Sequence, residues 1–126
     1  MKMKEIVAII RMNKVGVTKD VLAAAGYPAA TFQKVMGRGK QRGLVGEVKA
    51  VEVDKATEMV LSSTAMEFIP KRMVTIIVDD RDVERVVNII MAVNRTGQIG
   101  DGKIFVLPVE DSIRIRTREK GYEALI

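Results

Sequence analysis

The sequence has 126 residues, the size of one domain, and a net charge of +5. It is 48% hydrophobic but only 4% aromatic, so its core must be built from Val, Ile, Leu, Met and Ala. The absence of Cys, His and Trp excludes disulfides, thiol nucleophiles, cysteine–histidine zinc clusters and histidine acid–base chemistry. The excess of Lys and Arg suits a nucleic acid, a small multiply charged anion such as a nucleotide, or a solvated basic surface.

Behind Met1–Lys4, the apolar run Ile6-Val7-Ala8-Ile9-Ile10 reads as a buried strand. It is too short for a signal peptide's apolar region, and no run approaches the roughly 18 residues of a membrane span, so a cytoplasmic protein is expected. Thr18 is the expected N-cap of a first helix, with Asp20 in its first turn. Val21, Leu22 and Ala25 share one face of that helix, which stops at Gly26 ahead of Pro28. Thr31 to Met36 reads as a second strand. After a long connection, Met73 to Val78 is a third strand, and Asp80 or Asp82 caps a second helix. Val83, Val86, Val87, Ile90 and Asn94 follow the helical spacing. Ile104 to Leu107 is a fourth strand, ended by Pro108. From Ser112 to Arg116 a short alternating segment places Ile113 and Ile115 on one face and Arg114 and Arg116 on the other.

The order β-α-β, β-α-β is the double split unit of a ferredoxin-like α+β fold: an antiparallel sheet with both helices on one face. The other face is left bare and apolar, which predicts an oligomer. Between the halves, from about Lys40 to Ile69, there is no Pro, and Gly43 and Gly46 are the only glycines. Within it, 48–54 has strand character and 55–66 helix character. Connections of this length are functional, disordered or solvated excursions, and the mixed signals predict a mobile segment that orders on binding.

Two glycine-rich stretches carry the functional signal. The first is Gly37-Arg38-Gly39-Lys40-Gln41-Arg42-Gly43. Glycines let backbone N–H groups approach a phosphate, and the three cations add charge. The second is Thr96-Gly97-Gln98-Ile99-Gly100-Asp101-Gly102-Lys103. It matches most of a Walker A motif, but Ile104 stands where Ser or Thr must hold Mg²⁺, and a strand follows where a P-loop needs a helix. What remains is a tight helix-to-strand turn, either geometric or anion-binding. Arg114 and Arg116, side by side on a strand, would suit a phosphate clamp; the alternative is pairing with Glu110, Asp111 or Glu119.

Thr96 to Val106, followed by Ile113-Arg114-Ile115-Arg116-Thr117, resembles the signature of the PII nitrogen-regulatory proteins, and the first glycine stretch resembles the base of that family's T-loop. The resemblance implies a single domain over 1–126, with a mobile T-loop at about 40–69 and a C-terminal tail strand and loop at 110–126. It implies a compact homotrimer with three clefts between subunits, each binding ATP or ADP and, with Mg²⁺-ATP in place, 2-oxoglutarate. Carried over by position, Gly39, Ile99, Gly100, Asp101, Gly102 and Lys103 would hold nucleotide, with Ile9 and Thr31 near the base. Arg114 and Arg116 would reach the phosphates, Gln41 would touch Mg²⁺ and the 2-oxo acid, and Lys71 would pair with an acid carboxylate or a phosphate.

The departures narrow the branch. Tyr27 and Tyr122 are the only tyrosines, so the T-loop tyrosine that many bacterial relatives uridylylate is absent. Arg38 replaces a common Phe, Lys40 replaces a common Arg, and the T-loop is longer than usual. These features resemble the nif-operon PII-like branch, whose members work in pairs to inhibit nitrogenase until 2-oxoglutarate relieves the inhibition. The expected partners are therefore a paralogous PII-like chain and nitrogenase; an ordinary PII protein would act instead on an ammonium transporter or glutamine synthetase. No enzyme activity is expected. Nucleic-acid binding is not expected either, because Phe32, Phe68, Phe105 and the two tyrosines provide no stacking pair.

Overall fold

The computed structural model of the protein describes residues 2–37 and 69–126. Four strands, β1 (Met3–Ile10), β2 (Thr31–Gly37), β3 (Ile69–Asp79) and β4 (Lys103–Val109), form one sheet in the order β2-β3-β1-β4. Every adjacent pair is antiparallel. Helix α1 (Val15–Ala24) links β1 to β2, and α2 (Val83–Asn94) links β3 to β4. This is the ferredoxin-like α+β arrangement expected from the element order. Among the described residues no helix is long and apolar enough to cross a membrane.

The register decides which residues meet. Ile6 lies opposite Ile76 and Val106, and Ala8 opposite Val74 and Ile104, so even-numbered positions of the central strands share one face. On that face Ile6, Ala8, Ile10, Val74, Ile76 and Val78 are buried against Leu22 of α1 and Val86 and Ile90 of α2. Val7, Ile9 and Ile77 point to the opposite face, where no helix of the described residues lies, and Phe105 and Leu107 extend that face as exposed side chains. The near-continuous apolar runs of β1 and β3 are those of strands covered on both sides, and the described residues cover only one.

The element limits depart from expectation in four places. Helix α1 begins at Val15, after a 3-10 turn over Met12–Lys14, so Thr18 is an interior residue and not the cap. Its hydroxyl donates back to the Lys14 carbonyl at 2.6 Å, the bond a Ser or Thr makes inside a helix. Asp82, one of the two expected caps, holds the N-cap position of α2, but its carboxylate makes no cap bond and accepts from the Tyr27 hydroxyl. The side-chain cap is made one turn earlier, where Asp79 accepts from the Arg81 amide at 2.9 Å ahead of the 3-10 turn Asp80–Asp82. Strand β4 runs through Pro108, which an edge strand tolerates because one row of its backbone needs no partner. The segment Ser112–Arg116 is not a strand: only Ile113 makes an isolated bridge, to Lys120, and a turn follows. The helix stop at Gly26 stands as expected, with φ at +98°.

The two helices are joined by a buried polar contact. The Asn94 amide donates to the Thr18 hydroxyl at 3.1 Å and to the Ile90 carbonyl at 2.8 Å. Thr18 is wholly buried and Asn94 nearly so, and water cannot replace either bond. Thr18→Val keeps the shape and removes the hydroxyl, so it should destabilise the fold by about 1–3 kcal/mol. Urea denaturation is the check, and an unchanged midpoint would contradict this role for the pair.

Candidate functional site

The end of β1, the start of β3, the start of β4 and the end of β2 converge at one end of the sheet. The glycine-rich turn between α2 and β4 lies across that end. Gly97, Gly100 and Gly102 take φ of +84°, +103° and +100°, which L side chains rarely adopt. Gly102 is further constrained by contact: a Cβ there would stand 1.7 Å from the Ile9 carbonyl oxygen. The turn is therefore seated on the last residues of β1, and a side chain at 102 would lift it off.

Asp101 organises the turn from within. Its carboxylate accepts from the Thr96 hydroxyl, from the Thr96 amide at 2.8 Å and from the Gly97 amide at 2.9 Å. Arg11, just past β1, donates to the same carboxylate at 2.6 Å and to the Ile99 carbonyl at 3.0 Å. The Thr96 hydroxyl and amide, then Arg11 and the Gly97 amide, outweigh partial burial and hold the Asp101 carboxyl well below the usual carboxylate range. The charge of Asp101 is compensated inside the turn, and the Gln98 amide is also satisfied there, donating to the Thr96 hydroxyl at 3.1 Å.

Lys71 supports the turn from β3. It is 6% exposed, and its ammonium donates to the Gly100 carbonyl at 2.6 Å. Burial first, and then the neighbouring Arg11, lower its pKa, with Asp101 acting against them. Ile9, Asp101, Gly102 and Lys103 border an open cleft of about 390 Å³ whose far wall is Met91 and Asn94 of α2.

The structure thus gathers Ile9, Lys71 and Ile99 to Lys103 at one end, and adds Arg11. Sequence reasoning missed Arg11, although an Arg directly following the β1 run must emerge where the fold brings the helix-to-strand turn. Gly39 and Gln41 lie outside the described residues. Thr31 sits on the outer strand opposite Thr75, on the uncovered face that also carries Ile9. Arg114 and Arg116 are elsewhere. Strand β4 starts at Lys103 and ends at Val109, so the arginines lie beyond the opposite end of the sheet, about 20 Å away. They do not stand side by side on a strand, as alternation predicted. Arg114 is paired with Glu119 at 2.6 Å, one of the acids considered for it, while Arg116 lies exposed in the turn.

The Asp101 staple makes a testable statement. Its lowered pKa means that its contribution is fully present above the unfolded carboxyl value of about 3.9 and is lost only as pH falls below it. Asp101→Asn should speed amide exchange at Thr96 and Gly97 by about tenfold at neutral pH. Acidifying the unaltered protein from pH 7 to pH 5 should leave the same amides protected. Equal protection in the variant, or early loss on acidification, would contradict the staple.

This geometry can be set beside known proteins. The family profile described as "Nitrogen regulatory protein P-II" matches residues 3–119. The "Nitrogen fixation nifHD region GlnB-like protein 2" of Methanobacterium ivanovii is 50% identical over 124 residues, covering 98% of this chain and 100% of that protein. The "GlnB-like protein 1" of the nifHD region of Methanothermobacter marburgensis is 45% identical over 119 residues, covering 94% and 99%. The crystal structure of Arabidopsis thaliana PII bound to citrate superposes with a TM-score of 0.72 at 34% identity, over 98% of this chain and 92% of that one. These are regulators and not enzymes, and on the match of sequence and fold together the chain belongs to the P-II family of nitrogen regulatory proteins.

Proposed function

We propose that this P-II protein is a cytoplasmic sensor that binds ATP or ADP between copies of itself and regulates nitrogen fixation. The observation that carries the reading is the division of its anion-binding groups. The glycine-rich turn and Lys103 are at one end of the sheet and Arg114 and Arg116 at the other, so one chain cannot bring both to the same phosphates. A second copy can. Among the described residues β2 and β4 are the edge strands, and one face of the sheet, with Val7, Ile9, Ile77, Phe105 and Leu107, is uncovered. Head-to-tail contact between unlike edges closes into a ring when the rotation fits, and a homotrimer is the proposed closure.

In that assembly Ile9, Ile99, Gly100, Gly102 and Lys103 of one copy, with Gly39 from the root of the 40–69 segment, would face Thr31, Arg114 and Arg116 of the next. Asp101 would act by shaping the turn. Mg²⁺ and 2-oxoglutarate would join at Gln41 and Lys71. Among the described residues no cluster of three acidic side chains awaits a metal, so phosphate and 2-oxo-acid oxygens would supply most of the donors, with the Gln41 amide. Bound Mg²⁺ would supply charge that draws phosphate and acid together. The Lys71 ammonium would have to leave the Gly100 carbonyl to meet an acid carboxylate, which couples that acid to the turn. The citrate on the Arabidopsis relative supports a scaffold that accepts polycarboxylates.

The segment at about 40–69 would be the effector arm, and 1–126 would work as a single domain with 110–126 as its tail. The nifHD names of the relatives favour nitrogenase as target over an ammonium transporter or glutamine synthetase, and the numbered pair favours a paralogous partner chain. Two titrations test the reading. ATP should bind alone, and 2-oxoglutarate should bind only with Mg²⁺-ATP present. Gln41→Ala should abolish most 2-oxoglutarate binding and leave ATP affinity much less affected. If 2-oxoglutarate binds the nucleotide-free protein as tightly, the reading is wrong.

A further inference from the structure

We propose that Glu119 is an affinity-setting residue: the tail of the chain holds Arg114 as a phosphate would, and nucleotide must displace it. This inference rests on the nucleotide reading above. After β4 the chain folds back on itself. Ser112 and Gly121 exchange hydrogen bonds, Oγ to carbonyl at 2.6 Å and amide to carbonyl at 2.9 Å. Ile113 pairs with Lys120, and the Gly121–Ala124 turn follows. Within this fold Arg114 Nη1 donates to the Glu119 carboxylate at 2.6 Å, and Nη2 donates to the Glu123 carbonyl at 2.9 Å and to the main-chain oxygen of Ile126. The Arg114 amide is also taken, donating to the Glu119 carbonyl at 2.8 Å.

A carboxylate and two further oxygens on one guanidinium reproduce what a phosphate offers an arginine: several acceptors, at least one of them charged, on both terminal nitrogens. No terminal nitrogen of Arg114 is therefore idle. Arg116, two residues on, has no such partner among the described residues. The two arginines are unequal: the tail engages both terminal nitrogens of Arg114, leaving its Nε–H and one Nη1–H uncommitted, and leaves Arg116 alone. A phosphate that takes Arg114 through those terminal nitrogens must therefore compete with Glu119. The turn that makes the grip possible is itself strained. Arg118 has φ of +65°, the one non-glycine positive φ among the described residues, which favours a tail that can open.

The sign of one substitution separates this role from its opposite. If Glu119 merely oriented Arg114 for the ligand, removing its charge would weaken binding. If it competes, removing its charge tightens binding. By titration calorimetry, Glu119→Gln should bind ATP about two- to five-fold more tightly than the unaltered protein, the range of a partly exposed ion pair. Glu119→Asp should stay near the unaltered affinity. Glu110→Gln removes a nearby charge that does not bond to Arg114 and should not tighten binding. Added ATP should also speed amide exchange across 119–126 while slowing it across 96–103. Equal or weaker ATP binding by Glu119→Gln, or a tail protected by ATP, would overturn the inference while leaving the nucleotide reading intact. Failure of both proteins to bind ATP at all would overturn that reading and this inference together.

Discussion

The contact on which the functional end depends is the seat of Gly102 on the Ile9 carbonyl. With no room for a Cβ, the glycine-rich turn reaches the end of the central strand as bare backbone, and Arg11 and Lys71 can then bond its carbonyls and its one carboxylate from below. A turn held at that height is preorganised beside Lys103, with the Thr96, Gly97 and Gln98 amides already bonded inside it. If it binds an anion, as proposed, little loop entropy remains to be lost on binding. Asp101 is turned inward and its charge is met by Arg11 and by the Thr96 and Gly97 donors, so it shapes the turn from within.

A second constraint is the length of the sheet. Its strands keep the glycine-rich turn and the arginine tail about 20 Å apart, the length of β4, and no side-chain motion closes that gap. On the reading proposed above, the chain would be half of a binding site at each end, and its apolar sheet face and two edge strands would let another copy complete it. Assembly and ligand recognition would then be one property, and a ligand gripped by two copies would respond to anything that shifts how they sit. The tail would add a second level, since Glu119 competes for one of the two arginines.

The elements with a steady period were legible in the sequence. Val83 to Asn94 carries an unbroken helical spacing, and Ile6 to Ile10 and Met73 to Val78 are almost wholly apolar, so burial alone located them. Where one chemical signal serves two structures, reading failed. A threonine ahead of an apolar stripe looks like a cap, but Thr18 bonds backward inside the helix and forward to Asn94, and only the packing of two helices reveals that. The alternation of Ile and Arg over 112–116 looks like a strand. The turn that breaks it is made by Arg118 at positive φ, where no glycine marks the place. At the site, the glycines and Lys103 were visible as a motif. Arg11 was not, because its role comes from a neighbour 90 residues away in sequence that only the sheet order brings near.

The central claim is that one copy supplies the glycine-rich turn and another supplies the arginines. The most direct measurement mixes two variants, Lys103→Ala and Arg114→Ala, each impaired at a different half of the cleft. The two are co-expressed with different tags, purified as mixed assemblies and titrated with ATP. In a ring, any assembly containing both variants has a cleft where an intact turn meets an intact arginine. The account predicts that mixed assemblies regain sites of unaltered affinity while each parent alone does not. Mixed assemblies that bind no better than their parents would show that the turn and the arginines do not share a ligand.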